Sequence, residues 1–238
     1  VSNGLFIKLG ASQYADIPIG FFILTTIVLL ALKDTEEGGH SGLLCIAGVA
    51  AGFAAWTKNE GLLFLVAIFT ARFATLLMTR GPRVAMRELA FLLIGVLPVL
   101  GVLVYFKLHY APPNYLFGSE GFQPFMQKLS DPGRYVLIAK SFGNEILRWG
   151  NGLTPIFVLY LIVTGVNFHQ RYSTTVFAGS ATLILMAIGY FFVYVLTPCD
   201  LKWHLGTSLE RLLMQLWPTF LFVVFMTVRP LARHRVPD

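Results

Sequence analysis

The stretch AAWTKNEGLLF, residues 54–64, places Lys58, Asn59 and Glu60 between two long apolar runs. Residues 42–57 before the polar residues and residues 61–78 after them are almost wholly apolar. Such runs predict two helices that cross the hydrocarbon core of a membrane and are joined by a very short turn. The charged side chains would then lie near the bilayer edge, where ionisable groups usually pair, line a cavity or bind a ligand. A plain solvated turn and a functional site both remain open for this stretch.

The composition of the whole chain also indicates a membrane protein. Of its 238 residues, 56% are hydrophobic and 13% are charged, and the mean hydropathy is +0.70. Soluble domains carry about 25% charged residues, so this chain has about half that share. We therefore predict an all-α, polytopic transmembrane helical bundle with about seven spans. The predicted spans are residues 17–32, 42–57, 61–78, 90–106, 153–168, 174–196 and 212–228.

The basic residues predict an orientation. They are densest in short connectors and in the C-terminal tail, and short basic loops usually face the cytoplasm. This set comprises Lys33, Arg80, Arg83, Arg87, Arg171, Arg229, Arg233 and Arg235. The Lys58 turn, the 107–152 loop and the 197–211 loop would then face outward, so Cys45 and Cys199 would lie at opposite faces with no disulfide. The net charge of +6 fits such loops and contacts with anionic lipids, and no basic surface typical of nucleic-acid binding is visible.

The long outer loop contains a predicted helix. Ser130-Asp131-Pro132 is a helix-start signal, and a stripe of apolar residues follows it at helical spacing. That stripe is Tyr135, Ile138, Ala139, Phe142, Ile146 and Trp149. The helix either lies on the outer membrane surface or packs on the bundle. Residues 112–114 and 118–121 are predicted loop. Gly48 and Gly52, a GxxxG pair, predict a close approach of two helices.

Several polar residues near the outer ends of the predicted spans are candidates for a binding site. Asp16 precedes Pro18 at the start of the first span, where a plain helix cap and a functional carboxylate are both open. Lys58 suits a phosphate as a flexible point charge, and Glu60 is either its internal partner or a substrate contact. Arg72 lies inside the third span toward the cytoplasmic end, and we expect a structural role with its head snorkelling to the interface.

A polar stripe also precedes the last predicted span. His204, Ser208, Arg211 and Gln215 recur at i, i+4, i+7 and i+11, which places them on one face of a helix. A polar stripe on a membrane helix faces protein or water rather than lipid. The planar guanidinium of Arg211 suits a phosphate near the interface, although a snorkelling arginine beside a structural histidine also fits. These residues, with an acidic group and two cations, suit an enzyme that handles a lipid-linked phosphate.

Three motifs resemble the GT-C glycosyltransferases, integral-membrane enzymes that use polyprenyl-phosphate sugars. They are QYADIPIGFFIL at residues 13–24, GVAAGFAAWTKNEGLLF at 48–64 and WHLGTSLERLLMQLWP at 203–218. The resemblance implies that Lys58 and Arg211 hold the donor phosphate and that Asp16 is a catalytic residue facing the cavity. Tyr14, Asn59, Glu60, His204 and Ser208 are the further substrate-binding candidates. It implies no metal or other cofactor, a glycan, lipid or protein acceptor, and an active site on the extracytoplasmic side of the cell membrane.

The resemblance also implies a residue upstream of this sequence. The best-known acidic motif of the family lies in its first outer loop, before everything seen here, and the sequence starts at Val1. We therefore expect an N-terminally truncated GT-C-like domain over residues 1–238, with the catalytic base in the missing segment. A secondary transporter and a non-catalytic lipid-binding membrane subunit are the alternatives. The clustering of charges at one face and the lack of symmetry between the two halves count against a transporter.

Overall fold

The computed structural model describes residues 4–35, 41–111, 122–165 and 173–228. These ranges contain nine helices and no strand, which confirms the all-α prediction. The helices are α1 Gly4–Ala11, α2 Asp16–Thr35, α3 Ser41–Thr57, α4 Glu60–Thr79, α5 Pro82–His109, α6 Phe122–Ser130, α7 Pro132–Thr164, α8 Ser173–Leu196 and α9 Leu201–Thr227. The short helices α1 and α6 were not predicted. The two predicted loop stretches at 112–114 and 118–121, and Arg171, Arg229, Arg233 and Arg235, lie outside the described residues.

Five of these helices are long and apolar enough to cross a membrane, namely α2, α4, α5, α8 and α9. Helix α7 bends by 75° between Pro132–Trp149 and Gly152–Val163, and it adds a sixth span if the two arms count together. Helix α3, with 17 residues, is short for a span. The described part of the chain thus supports a bundle of long apolar helices, while the number of seven spans stays a prediction.

The core of the bundle forms around α2, which contacts α3, α8 and α9. Ile19, Ile23, Ile27 and Leu30 recur every three or four residues along α2, and each is at most 1% exposed. The other main contacts are those of α3 with α5 and of α4 with α8. Because lipid tails are as apolar as these side chains, close packing rather than removal from water is what holds such helices together.

Helix α9 begins at Leu201, so the predicted outer loop at residues 197–211 is helical from Leu201 onward, and the helix predicted for His204, Ser208, Arg211 and Gln215 is part of it. Asp200 caps the helix by accepting a hydrogen bond from the backbone amide of Trp203 at 2.8 Å. Leu201, Leu205 and Leu209 then bury one face of the first turns. The polar side chains of this segment occupy other faces of a continuous helix, and they lowered its hydropathy enough that the last predicted span began only at residue 212.

The first arm of α7 begins where the sequence predicted. The Asp131 carboxylate accepts a hydrogen bond from the amide of Gly133 at 2.8 Å, and Pro132 occupies the first turn. Ile138 and Phe142 on this arm are buried in the core of the bundle. The 107–152 segment therefore contains the end of α5, all of α6 and an arm that packs on the bundle, which was one of the two alternatives. A position of this arm at a membrane surface stays a prediction.

Arg134 fastens that arm to the end of α8. Its guanidinium donates hydrogen bonds to the backbone oxygens of Tyr194 at 3.1 Å and Val195 at 3.2 Å. The last carbonyl groups of a helix lack partners within the helix, and a cation at this end also interacts favourably with the helix dipole. A single side chain thus connects two segments that are about 60 residues apart in the sequence.

A buried group of charged residues joins four helices at the end of the bundle opposite Asp16. Arg72 of α4 is 0% exposed and forms two hydrogen bonds of 2.7 Å with Asp34 of α2. It also bonds Glu88 of α5, which pairs with Lys33, and Thr175 of α8 donates to Asp34 at 2.6 Å. The expected snorkelling of Arg72 is wrong, because α2 and α5 supply its counter-charges inside the bundle. We call these residues, together with Arg80, the Arg72 cluster.

Candidate functional site

The candidate site is centred on Asp16, the first residue of α2, whose carboxylate is 0% exposed. One carboxylate oxygen accepts hydrogen bonds from Lys58 Nζ at 2.9 Å and from Gln215 Nε2 at 2.7 Å. The other oxygen accepts from Arg211, with 2.9 Å to both Nε and Nη2. Both oxygens are therefore occupied by side chains from other parts of the bundle. Together with Glu60, which pairs with Lys58, these residues form what we call the Asp16 cluster.

Three separate segments supply the cluster. Lys58 lies in the two-residue turn between α3 and α4, and Arg211 and Gln215 lie one turn apart on α9. Helix α9 reaches Asp16 because Gly20 of α2 lets its backbone come close, and an added Cβ at Gly20 would lie 2.9 Å from the backbone oxygen of Gln215. The motifs that are far apart in the sequence therefore meet at one end of the bundle.

The Asp16 cluster is formally neutral and partly open to its surroundings. Lys58 contacts Glu60 at 2.9 Å as well as Asp16, so two cations face two carboxylates. The side chains of Lys58, Glu60 and Arg211 are 27%, 24% and 30% exposed. The exposed ring of Tyr14 lies against Arg211, with 4.2 Å between the guanidinium carbon and the ring centroid. Each cation is held by a buried partner and keeps an accessible side for an anionic ligand.

The remaining three candidates have partners outside the Asp16 cluster. Asn59 Oδ1 accepts a hydrogen bond from Lys107 Nζ at 2.8 Å. His204 Nδ1 lies 2.9 Å from Thr197 Oγ1, and Ser208 Oγ lies 2.7 Å from the hydroxyl of Tyr194. His204 and Ser208 precede Arg211 on the same face of α9, as predicted, and their contacts join α9 to the end of α8. A contact of these three with substrate stays a prediction.

A buried hydrogen-bond chain that sequence reasoning missed supports the cluster. Tyr190 of α8 donates to Gln215 Oε1 at 3.0 Å, and the Gln215 amide donates to Asp16. Gln215 lay on the predicted polar stripe of α9, but Tyr190 was read only as part of an apolar span. Its spacing of four residues from Tyr194 was the available signal, because it places two hydroxyl groups on one face of an otherwise apolar helix.

The described residues contain no group of three or more His, Cys, Asp and Glu side chains that could hold a metal ion. No family model matches the chain, and no curated protein or solved structure matches it either. The GT-C resemblance therefore rests on the three sequence motifs and stays a hypothesis, which the geometry of the Asp16 cluster now makes testable residue by residue.

Proposed function

We propose that this chain is a membrane glycosyltransferase of the GT-C type, which moves a sugar from a polyprenyl-phosphate donor to an acceptor hydroxyl on the extracytoplasmic face. One observation carries the proposal. Lys58 and Arg211, remote in the sequence, meet on either side of the buried Asp16 carboxylate at one end of an apolar helical bundle. Two partly exposed cations at that position suit a phosphate whose lipid tail lies in the bilayer.

The reaction needs these cations at its leaving group. The acceptor oxygen attacks the anomeric carbon, the bond between that carbon and the phosphate oxygen breaks, and the polyprenyl phosphate leaves with the bonding electrons. Negative charge on the phosphate grows in the transition state, where preorganised cations are most effective. Arg211, whose Nε and Nη2 groups contact Asp16, offers the remaining edge of its guanidinium to a phosphate, and Lys58 offers a compact point charge.

The carboxylates then have different roles in the proposal. Asp16 was predicted to be catalytic, but its two oxygens are already bonded to Lys58, Arg211 and Gln215. That arrangement favours a counter-ion that positions both cations. The proton of the acceptor hydroxyl must go to another carboxylate, and Glu60 is the partly exposed carboxylate of the Asp16 cluster.

The test is sugar transfer from a radiolabelled polyprenyl-phosphate sugar by the full-length protein in proteoliposomes. Lys58→Ala and Arg211→Ala should each reduce transfer about a hundredfold or more, since a lost preorganised donor costs roughly 3–4 kcal/mol. Lys202→Ala is the matched control, because Lys202 is an exposed cation on the first turn of α9. Near-normal transfer by either site variant, with the control equally active, would contradict the proposal.

A secondary transporter is the second candidate, and one observation favours it. The Arg72 cluster places buried charges at the opposite end of the bundle, so the charges are not confined to one face. Against it, the α2 residues between the two clusters, Ile19, Ile23 and Ile27, are at most 1% exposed and close-packed. Uptake of a labelled substrate by proteoliposomes without sugar transfer would favour the transporter. Donor binding with neither activity would favour a lipid-binding subunit.

A further inference from the structure

Two arginines lie at the start of α5, on the side of the helix that points away from the bundle. Arg83 and Arg87 are one helical turn apart, and both are exposed. Ala85, Glu88 and Leu92 of the same helix are buried, and they occupy the side that packs on the bundle. The arginines are not part of the Asp16 cluster, and they lie at the other end of the helices.

An exposed apolar stripe continues from the two arginines along α5. At about 100° per residue, Ile94 projects within about 20° of Arg87, roughly two turns further along the axis. The exposed apolar residues on this side are Met86, Leu93, Ile94, Leu97 and Val104. The stripe is long, since Val104 lies 17 residues beyond Arg87, or about 25 Å. A pair of cations therefore lies at one end of a face that suits acyl chains.

The charge at this end of the bundle favours an anion. The Arg72 cluster has three cations, Lys33, Arg72 and Arg80, against the carboxylates of Asp34 and Glu88. Its surplus of one positive charge becomes three when Arg83 and Arg87 are added.

The start of α5 adds to this preference. Its N-cap residue, Gly81, has no side chain that could cap the amides of the first turn, and Pro82 follows it. The guanidinium of Arg87 lies 5.9 Å from the ring centroid of Phe91, a contact that orients the side chain along the helix surface. Amides at a helix start and arginine forks both favour phosphate oxygens.

We propose that this face of α5 is a docking site for an anionic phospholipid. Its headgroup phosphate binds Arg83 and Arg87, and its acyl chains lie along Ile94, Leu97 and the rest of the stripe. The proposal rests on the proposed membrane location of the bundle and does not depend on sugar transfer. Phosphatidylglycerol is the probe of choice because it has the net negative charge that phosphatidylcholine lacks.

The experiment is a lipid titration of the full-length protein in detergent, followed by native mass spectrometry. The wild type should bind phosphatidylglycerol at least about tenfold more tightly than phosphatidylcholine, since each basic residue near a membrane surface contributes roughly fivefold. Arg83→Gln/Arg87→Gln should lose most of that preference. Lys140→Gln/Arg148→Gln is the matched control, because it removes two exposed positive charges from the first arm of α7.

Three results would overturn the site. They are a wild type without the preference, an Arg83→Gln/Arg87→Gln variant that keeps it, and a control that loses it equally. Release of the bound lipid by millimolar inorganic phosphate would show a site for free phosphate instead. The single variant Arg87→Gln keeps the test open if the double variant does not fold, and it should lose about half of the preference on a logarithmic scale. Sugar transfer is a separate assay, so either proposal can fail while the other stands.

Discussion

Asp16 lies at the first position of α2, where aspartate is an ordinary capping residue. The structure gives its carboxylate three partners from other segments, Lys58, Arg211 and Gln215. The two roles differ in what an asparagine would do. Asparagine caps a helix about as well as aspartate, but it cannot balance two cations. Removal of one partner from a buried ion pair costs about 3–5 kcal/mol, and less here because both cations are partly exposed.

We predict that Asp16→Asn lowers the melting temperature by several degrees. We also predict that a phosphate ligand raises the melting temperature of this variant by more than it raises that of the wild type. With only Glu60 left to balance Lys58 and Arg211, the cluster should bind polyprenyl phosphate more tightly than in the wild type, so the ligand should restore more of the lost stability. Thermal melting with and without polyprenyl phosphate measures both effects.

The matched control for this prediction is Asp131→Asn. Asp131 caps α7 through a hydrogen bond from Gly133, and its side chain is exposed, so its replacement should leave both quantities nearly unchanged. If Asp16→Asn also melts like the wild type but loses sugar transfer, Asp16 is a catalytic base and its role as a counter-ion is wrong.

At the scale of helices, close contacts between backbones determine how the elements pack. The GxxxG pair predicted a close approach, and the structure confirms it at Gly48, where an added Cβ would lie 2.1 Å from the backbone oxygen of Leu92 in α5. Its counterpart is Gly95, where an added Cβ would lie 2.0 Å from the backbone oxygen of Cys45. The sequence does not pair Gly95 with Gly48, because their contact depends on the register between α3 and α5.

We predict that Gly95→Ala destabilises the bundle, whereas Gly101→Ala on the same helix does not. The methyl group at residue 95 would meet backbone atoms, which cannot rotate away, and overpacking of this kind costs about 1–3 kcal/mol or more. An added Cβ at Gly101 has nothing within 4 Å. Melting temperatures in detergent should differ by several degrees, and equal values for the two variants would contradict the close crossing of α3 and α5.

Hydropathy and periodicity predicted the long helices well. Each apolar segment is long, and a helix satisfies the backbone hydrogen bonds of such a segment in an apolar environment, which an irregular loop cannot do. Hydropathy alone assigned the first turns of α9 to a connecting loop, although the spacing of the polar residues there predicted a helix. The first turns of α9 contain Lys202, His204 and Arg211, which lowered the hydropathy, although Leu205 and Leu209 carry the buried face. Helix start signals were more reliable, as Asp131 shows.

The sequence predicted which residues belong to the candidate site, but it did not predict the contacts between them. The unusual position of Lys58 and the spacing of Arg211 and Gln215 indicated polar groups that need a partner. That partner, the buried Asp16, follows only from the packing of α2 against α9. The Arg72 cluster was missed as well. Asp34 and Glu88 each neighbour a basic residue and resemble solvated charges in the sequence, and only the packing of the helices brings them to Arg72.

At the scale of the described bundle, the Asp16 cluster and the Arg72 cluster lie at opposite ends of α2 and α4. Asp16 and Asp34 are 18 residues apart on α2, which is about five turns and about 27 Å, so they project from one face of the helix. The hydrocarbon core of a bilayer is about 30 Å thick. The separation of the clusters thus fits a bundle with one cluster at each membrane interface and the isoleucine-rich face of α2 between them.

We predict that the Asp16 cluster faces outward and the Arg72 cluster faces the cytoplasm, because Arg80 lies in the two-residue connector between α4 and α5, and Arg83 and Arg87 lie in the first turns of α5 that follow it. Asn59 and Arg83 are exposed positions near the two ends, so each can be replaced by cysteine in a background lacking Cys45 and Cys199. A membrane-impermeant thiol reagent should label Asn59→Cys on intact cells and should label Arg83→Cys only after permeabilisation. The reverse pattern would put the candidate site in the cytoplasm, where an extracytoplasmic transfer could not take place. Labelling of both positions on intact cells would show that the two clusters do not lie on opposite sides of a membrane.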